Sequence, residues 1–279
     1  MRRLVNDATR LRFARNRNLQ FGLSMLAFLV LTSVAGSALV PFDPLDIDFG
    51  QALQQPGWPH LFGTDDLGRD VLARVVASAG VDMKVVSICV LLPFLIGSTI
   101  GLVSGYFGGW TDLIIMRFVD VLWAFPFYVL VISIVGALGP GTGNIYLAFS
   151  MVVWISFARI VRGEVLLARR LEYTQAVSVL GYSHARIMLR HVLPNVITPA
   201  IVFMMADVVL TILGVTSLGF LGLGIQPPTP EWGVMIAEGR NFIQDGWWIS
   251  LFPGLAIVFV GITFSLIGDG LDDFLRPKP

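Results

Sequence analysis

Residues Arg159–Pro199 read RIVRGEVLLARRLEYTQAVSVLGYSHARIMLRHVLPNVITP, a polar, basic island between long apolar runs. Arg159, Arg162, Arg169, Arg170, Arg186 and Arg190 supply six of the chain's 19 Lys and Arg. Membrane proteins keep their Lys- and Arg-rich loops on the cytoplasmic side, so the stretch is expected there. Its local pattern is helix, break, helix. Leu171–Leu180 holds no Pro or Gly. Gly181 then offers a residue that enters the left-handed conformation without a Cβ clash, as helix ends commonly require. Ser183 is placed to cap a second helical piece, which is expected to end before Pro194.

Composition sets the frame around this island. The 279-residue chain is 55% hydrophobic and 14% charged, with a mean hydropathy of +0.77. That balance is far from a soluble domain's. The formal net charge is zero, so nothing in the total points to a nucleic-acid partner. The single cysteine, Cys89, lies in an apolar run, which excludes an intrachain disulfide and leaves the redox compartment unread. The phosphate-binding pattern G-x-x-x-x-G-K-[ST] is absent, so the chain has no visible means of hydrolysing ATP. There is no His-Glu-x-x-His and no Cys/His cluster, and His60, His184 and His191 all lie outside the apolar runs. No catalytic residue, metal ligand or cofactor site is therefore assigned to the chain.

Six spans are expected. Residues 1–18 carry Arg2, Arg3, Arg10, Arg12, Arg15 and Arg17 against Asp7, and Leu19–Val40 follows with 22 uncharged residues. A bilayer core of about 30 Å needs about 20 helical residues, and a signal-peptide core is shorter, about 7–15. The segment is read as a retained first span. Pro41–Lys84 is an acid-rich outer loop. Within it Leu67, Val71, Leu72, Val75, Val76 and Ala79 recur at helical spacing. Two readings stand side by side there, a helix lying on the membrane surface and a helix packed on the rest of the protein. Val85–Tyr106 is the second span and Asp112–Leu138 the third. Arg117 and Asp120, three residues apart, can interact on one helix face. Pro126 predicts a kink. Ile145–Ala158 is short, and extending it to Val161 with Arg159 at the interface makes a fourth span. The fifth runs from Pro194 to about Phe220 and the sixth from Trp247 to Ile267. This arrangement leaves fifteen Lys and Arg on inner segments and four (Arg69, Arg74, Lys84, Arg240) on outer ones. Both termini are then cytoplasmic.

The island and its surroundings resemble the permeases of binding-protein-dependent ABC importers, in their oligopeptide, dipeptide and nickel branch. The family's cytoplasmic loop motif is Glu-Ala-Ala, three residues, Gly, nine residues, Ile, one residue, Leu-Pro. Here the positions read Gln175-Ala176-Val177, Gly181, His191, Leu193 and Pro194, with the spacing intact. Gln175, Val177 and His191 depart from the general consensus, while Arg190–Asn195 looks like the branch. His60–Val71, Asp120–Pro126 and Leu218–Ile236 also resemble it, as does the C-terminal stretch from Gly268. Gly80 and Asp82 depart from it, as does Val215, where relatives often carry an acid.

The resemblance implies an all-α integral membrane protein of the type I importer permease kind. It divides the chain into the N-terminus 1–18, a first helix 19–40, an outer loop 41–84, a five-helix core 85–271 with the cytoplasmic coupling loop 162–193, and a tail 272–279. Its setting is the bacterial inner membrane. The implied partners are a second, homologous permease, two ATP-binding subunits that hold the ATP and magnesium, and an extracytoplasmic solute-binding protein. The implied contact with the ATPase is the coupling helix at about Glu172–Ser183, with Glu172, Tyr173, Gln175, Ala176, Val177, Gly181 and Ser183 at the contact and His191, Leu193 and Pro194 completing the motif.

Asp207 lies in the middle of the fifth span. It is either a polar point on the solute's path or a protonated, hydrogen-bonded group at a helix contact, because an intramembrane charge needs a partner or water. An ion-coupled secondary transporter is the alternative function. Asp207 is its one good proton-relay candidate, and internal repeat symmetry is not evident. An intramembrane hydrolase is disfavoured because no histidine lies in a span.

Overall fold

The computed structural model describes residues 13–275. The expected basic residues Arg2, Arg3, Arg10 and Arg12, and Arg276 and Lys278 of the tail, lie outside the described residues. The described chain is mainly helical, with an irregular loop over residues 40–70 that holds one isolated backbone bridge between Thr64 and Asp70. Five helical segments are long and apolar enough to cross a membrane, and there are up to six if a pair bent at a short break counts as one span.

Helix α1, Arg17–Leu39, matches the expected first span. The Asn16 side chain accepts from Leu19 N and donates to Gly270 O at 2.6 Å, tying the start of the chain to its last helix at one end of the molecule. Helix α2 is a single rod, Val71–Phe107. Its 37 residues at 1.5 Å each reach about 55 Å, well beyond a hydrocarbon core of about 30 Å. Its first turns contain the residues that could have formed a surface helix. The structure takes the packed alternative: Val71, Val75 and Ala79 are buried with Leu29 of α1, Trp232 and Trp248. Gly80 allows the close approach, since a Cβ there would sit 2.9 Å from Ser33 O of α1. Asp82 is buried and accepts from Trp232 N.

The third span is broken rather than kinked. α3, Gly109–Trp123, and α4, Phe127–Leu138, meet at 84° across Ala124–Pro126. Pro126 has no N–H to donate and starts α4 as its N-cap. The expected Arg117–Asp120 pairing is not formed. Asp120 instead accepts from Arg159 at 2.5 Å, and Arg159 also lies over the Trp123 ring. A partner that stacks as well as pairs prevails over mere spacing.

The fourth span is longer than its apolar run: α5, Thr142–Val152, and α6, Trp154–Ala168, follow one another across Val153. α6 packs on α2 through three glycines at four-residue spacing. A Cβ at Gly97, Gly101 or Gly105 would sit 2.2 Å from Trp154 O, 2.4 Å from Ala158 O or 2.9 Å from Val165 Cβ. Small residues on one helix face let two backbones touch, which is how helices associate where lipid supplies no hydrophobic drive.

Beyond α6 come α7, Glu172–Val179, and α8, His184–Ile187. The chain does not stop before Pro194. A wide π turn over Met188–Val192, closed by Leu193 N donating to Met188 O, leads into α9, Leu193–Val196. The extra residue in that turn accommodates a proline that could not donate to a regular one. α10, Thr198–Phe220, is the fifth span, and α12, Trp248–Leu275, the sixth, reaching a further two turns past Ile267. Between them α11, Trp232–Gly239, is short and turns inward, with Trp232 and Met235 in the core.

Alternation of these helices puts the ends of α2 and α6, the α7–α9 segment, the start of α1 and the end of α12 on one side. The 40–70 loop, α11 and the start of α12 are on the other. The outer loop is pinned there by charge. Asp65 accepts from Arg69 Nε at 2.7 Å and from Arg74 Nη1, and both arginines reach Glu238 of α11. Trp248 donates to Thr64 O.

Candidate functional site

Two places stand out, one within the membrane body and one at its inner end. The first lies beside the break in the third span. The break at Ala124–Pro126 and the stretch around Val153 face α10, and a cavity of about 440 Å³ opens between them. Its wall includes Trp123, Phe125, Phe127 and Tyr128 from the break, Val153 and Ser156 from the fourth span, and Phe203, Asp207 and Leu210 from α10. Non-helical backbone at membrane depth is tolerated where it borders a cavity, and the Ala124–Pro126 break borders this one.

Asp207 is 6% exposed, and its Oδ2 has no hydrogen-bond partner. A lone carboxylate at this depth costs about 2.5–3.5 kcal/mol on insertion scales. No Lys, Arg or His among the described residues pairs with it. Arg159 is committed to Asp120, and Arg162 grips Asp112 through both Nε and Nη2. These two pairs lie towards the inner end from the chamber: Asp120 precedes Trp123 on α3, and Arg159 follows Ser156 on α6. Val215 is buried among apolar side chains in the core and does not border the chamber.

The second place is the tip formed by α7 and the turn after it. Gly181 adopts φ +76°. Tyr182 N donates to Val177 O and Gly181 N to Ser178 O. This is the paired closure that a glycine just past a helix end permits. Thr174, which sequence reasoning passed over, anchors the helix from below by donating to Ala168 O at 2.9 Å. Beyond it the tip is bare: Val179 is 88% and Leu180 71% exposed. Glu172, Tyr173, Gln175, Ala176 and Gly181 are exposed too, and Val177 packs on the core. Ser183 Oγ accepts from Arg186 N, starting α8. Pro194 is exposed, and His191 and Leu193 are half-buried, in the stem rather than the tip. The His191 ring stacks on Tyr182 and links the two. Tyr106–His184 at 2.9 Å and Arg169 to Gly105 O at 3.1 Å fasten the segment to the end of α2. These contacts tie the tip to α2 and α6.

Sequence reasoning gave no role to Glu231. It is fully buried, caps α11 by accepting from Gly233 N and Val234 N, and sits where α11 meets Asp82 of α2. Burial raises its carboxyl above the ordinary value of 4.5. A folded carboxyl that holds its proton more tightly than the unfolded one favours folding in acid. That advantage fades as pH rises from 4.5 through the raised value. The thermal midpoint of the wild type, relative to Glu231→Gln, is expected to fall as pH rises above 4.5. A flat difference there would contradict the raised carboxyl.

The family described as binding-protein-dependent transport system inner membrane component matches residues 97–279. The N-terminal TM domain of oligopeptide transport permease C matches residues 5–56. The chain is similar to the dipeptide transport system permease protein DppC of Alkalihalophilus pseudofirmus, 39% identical over 95% of this chain and 87% of that one. It is also 37% identical to the DppC of Haemophilus influenzae, over 95% of this chain and 92% of that one. The glutathione transport system permease protein GsiD of Pectobacterium atrosepticum is 38% identical over 91% of this chain and 85% of that one.

Proposed function

The chain belongs to the family of binding-protein-dependent transport system inner membrane components, and we propose that it forms one half of the membrane pathway of an ATP-driven importer of short peptides. The peptide assignment is drawn from the relatives, whose names specify dipeptides and glutathione. The chamber at Asp207 is its section of the path. The other half is a second, homologous permease. Two ATP-binding subunits dock on the α7 tip, with Glu172–Ser183 at the contact, and a binding protein delivers solute at the opposite face. Residues 85–271 act as the core that carries the motion, and the 41–84 loop belongs to the outer face.

The observation that carries the coupling role is the bare apolar tip. Val179 and Leu180 are held out by a tightly closed helix end. Exposed apolar residues on the polar side of a membrane protein mark a surface for another protein. The mechanism is then mechanical. ATP-driven closure of the partner subunits displaces the tip, and the Arg169, Tyr106 and His184 contacts pass that displacement to α2 and α6. Solute-loaded binding protein shifts the cycle only through its preference for one of the two states.

The test is uptake of radiolabelled L-alanyl-L-alanine by liposomes holding the chain with its gene neighbours: the second permease, the ATPases and the binding protein. Uptake is expected to need internal ATP and to stop with vanadate. The chain purified alone is expected to show no ATP hydrolysis above buffer. Uptake that survives ATP depletion but collapses with a protonophore would replace this reading by an ion-coupled transporter.

A further inference from the structure

Asp207 borders a chamber walled by rings, and its buried Oδ2 has no hydrogen-bond partner. The wall around it says what would satisfy it. Trp123, Phe125, Tyr128 and Phe203 present aromatic surface, and Ser156 is the only other hydroxyl bordering the chamber. The Tyr128 hydroxyl is itself turned to Leu210 O, at 3.4 Å. No Lys, Arg or His borders the space. An anion would meet a like charge with nothing to offset it. A sugar would need several donors and acceptors that this wall does not offer. A cation would find both a carboxylate and π faces, the pairing that proteins use for ammonium groups.

We infer that Asp207 receives a primary ammonium group of the transported solute, the free amino terminus of a short peptide. The inference rests on the reading of this chain as half of a peptide pathway and adds the chemistry of the contact. A purely structural aspartate would pair its oxygens with a neighbouring backbone or side chain, and Oδ2 has no such partner. The chamber volume, about 440 Å³, lies in the range of small-molecule sites. The Asp120–Arg159 pair stands between the chamber and the inner end.

The experiment has two arms, both on the assembled transporter. In the first, liposomes take up L-alanyl-L-alanine. Asp207→Asn, close in size and without charge, is expected to cut the uptake rate at least about tenfold. Asp207→Glu restores part of it. The concentration for half-maximal uptake, set by the binding protein, stays unchanged. In the second arm, Ser156→Cys gives the chamber a thiol, and Cys89, fully buried, adds little background. A cationic methanethiosulfonate reagent is expected to label it faster than an anionic one, and Asp207→Asn is expected to lower that rate ratio by about tenfold. Loss of uptake with an unchanged labelling ratio makes Asp207 a structural residue and overturns the inference, as does unchanged uptake. If the wild type imports no dialanine, the peptide reading fails, and the labelling ratio alone decides whether Asp207 attracts cations. If Asp207→Asn does not assemble, the ratio is compared between the wild-type carboxylate and Asp207→Glu, and an anion-favouring ratio in both overturns the inference.

Discussion

Gly101→Leu is expected to leave almost no folded protein in the membrane. Gly97, Gly101 and Gly105 lie on one face of α2 and let it touch α6 backbone to backbone. At Gly101 a single added carbon would sit 2.4 Å from Ala158 O and 3.0 Å from Arg162 N. Both are backbone atoms of a helix, so no rotamer change relieves the clash, and the two helices must separate along their length. Overpacking costs about 1–3 kcal/mol where side chains can yield, and this site belongs at or above the upper end. Separation would also withdraw Arg162 from Asp112 and Arg169 from Gly105 O. The yield of monodisperse protein after detergent extraction, and its thermal midpoint, report the loss. Gly163→Ala is the control on the facing helix α6, because a Cβ there meets nothing within 4 Å. It is expected to match the wild type. A Gly101→Leu protein as stable as Gly163→Ala would mean that the two helices do not touch as described.

Hydropathy revealed the spans because each is a run of apolar residues of bilayer length, a signal carried entirely by local composition. It failed where structure depends on distant partners. The charged Asp82 and Lys84 end the apolar window of the second span, but a helix does not end at a charge, and α2 runs straight through them. Asp82 is accommodated because Trp232 N, 150 residues away, donates to it. Pro126 signalled a bend because it lacks an N–H. The 84° between the halves is set by what each half packs on, and no residue type encodes that. The chamber was invisible, because it forms where the Ala124–Pro126 break, the stretch around Val153 and α10 meet. Asp207 was visible as an anomaly, a charge in an apolar run, while its aromatic surroundings come from three helices and the Ala124–Pro126 break. The inner tip was the most readable part. Glycine spacing, a capping serine and a helix without breakers are all local, and the structure realises each of them.

Gly181→Trp is expected to spare the fold and stop transport. The strain is modest. A non-glycine residue at φ +76° costs about 1–2 kcal/mol, and a Cβ at Gly181 meets nothing within 4 Å. Nothing inside this chain therefore objects to the indole on steric grounds. An ATPase seated over Val179 and Leu180 would, since a side chain of that size beside the tip holds a docked surface away. Uptake of dialanine is expected to fall below about 1% of wild type, consistent with loss of several kcal/mol from a buried anchor. The extracted protein should keep its thermal midpoint within about 4–8 °C, and the ATPase subunits should no longer co-purify. Gly181→Ala separates the two effects. It carries the backbone strain without the bulk, so it should retain the ATPases and most uptake. Leu180→Glu gives an independent check, because a residue 71% exposed changes the fold little but places a charge in the middle of an apolar contact. If Gly181→Trp and Leu180→Glu both import at the wild-type rate, the tip is not where the engine grips, and the motion must enter through another part of the inner face.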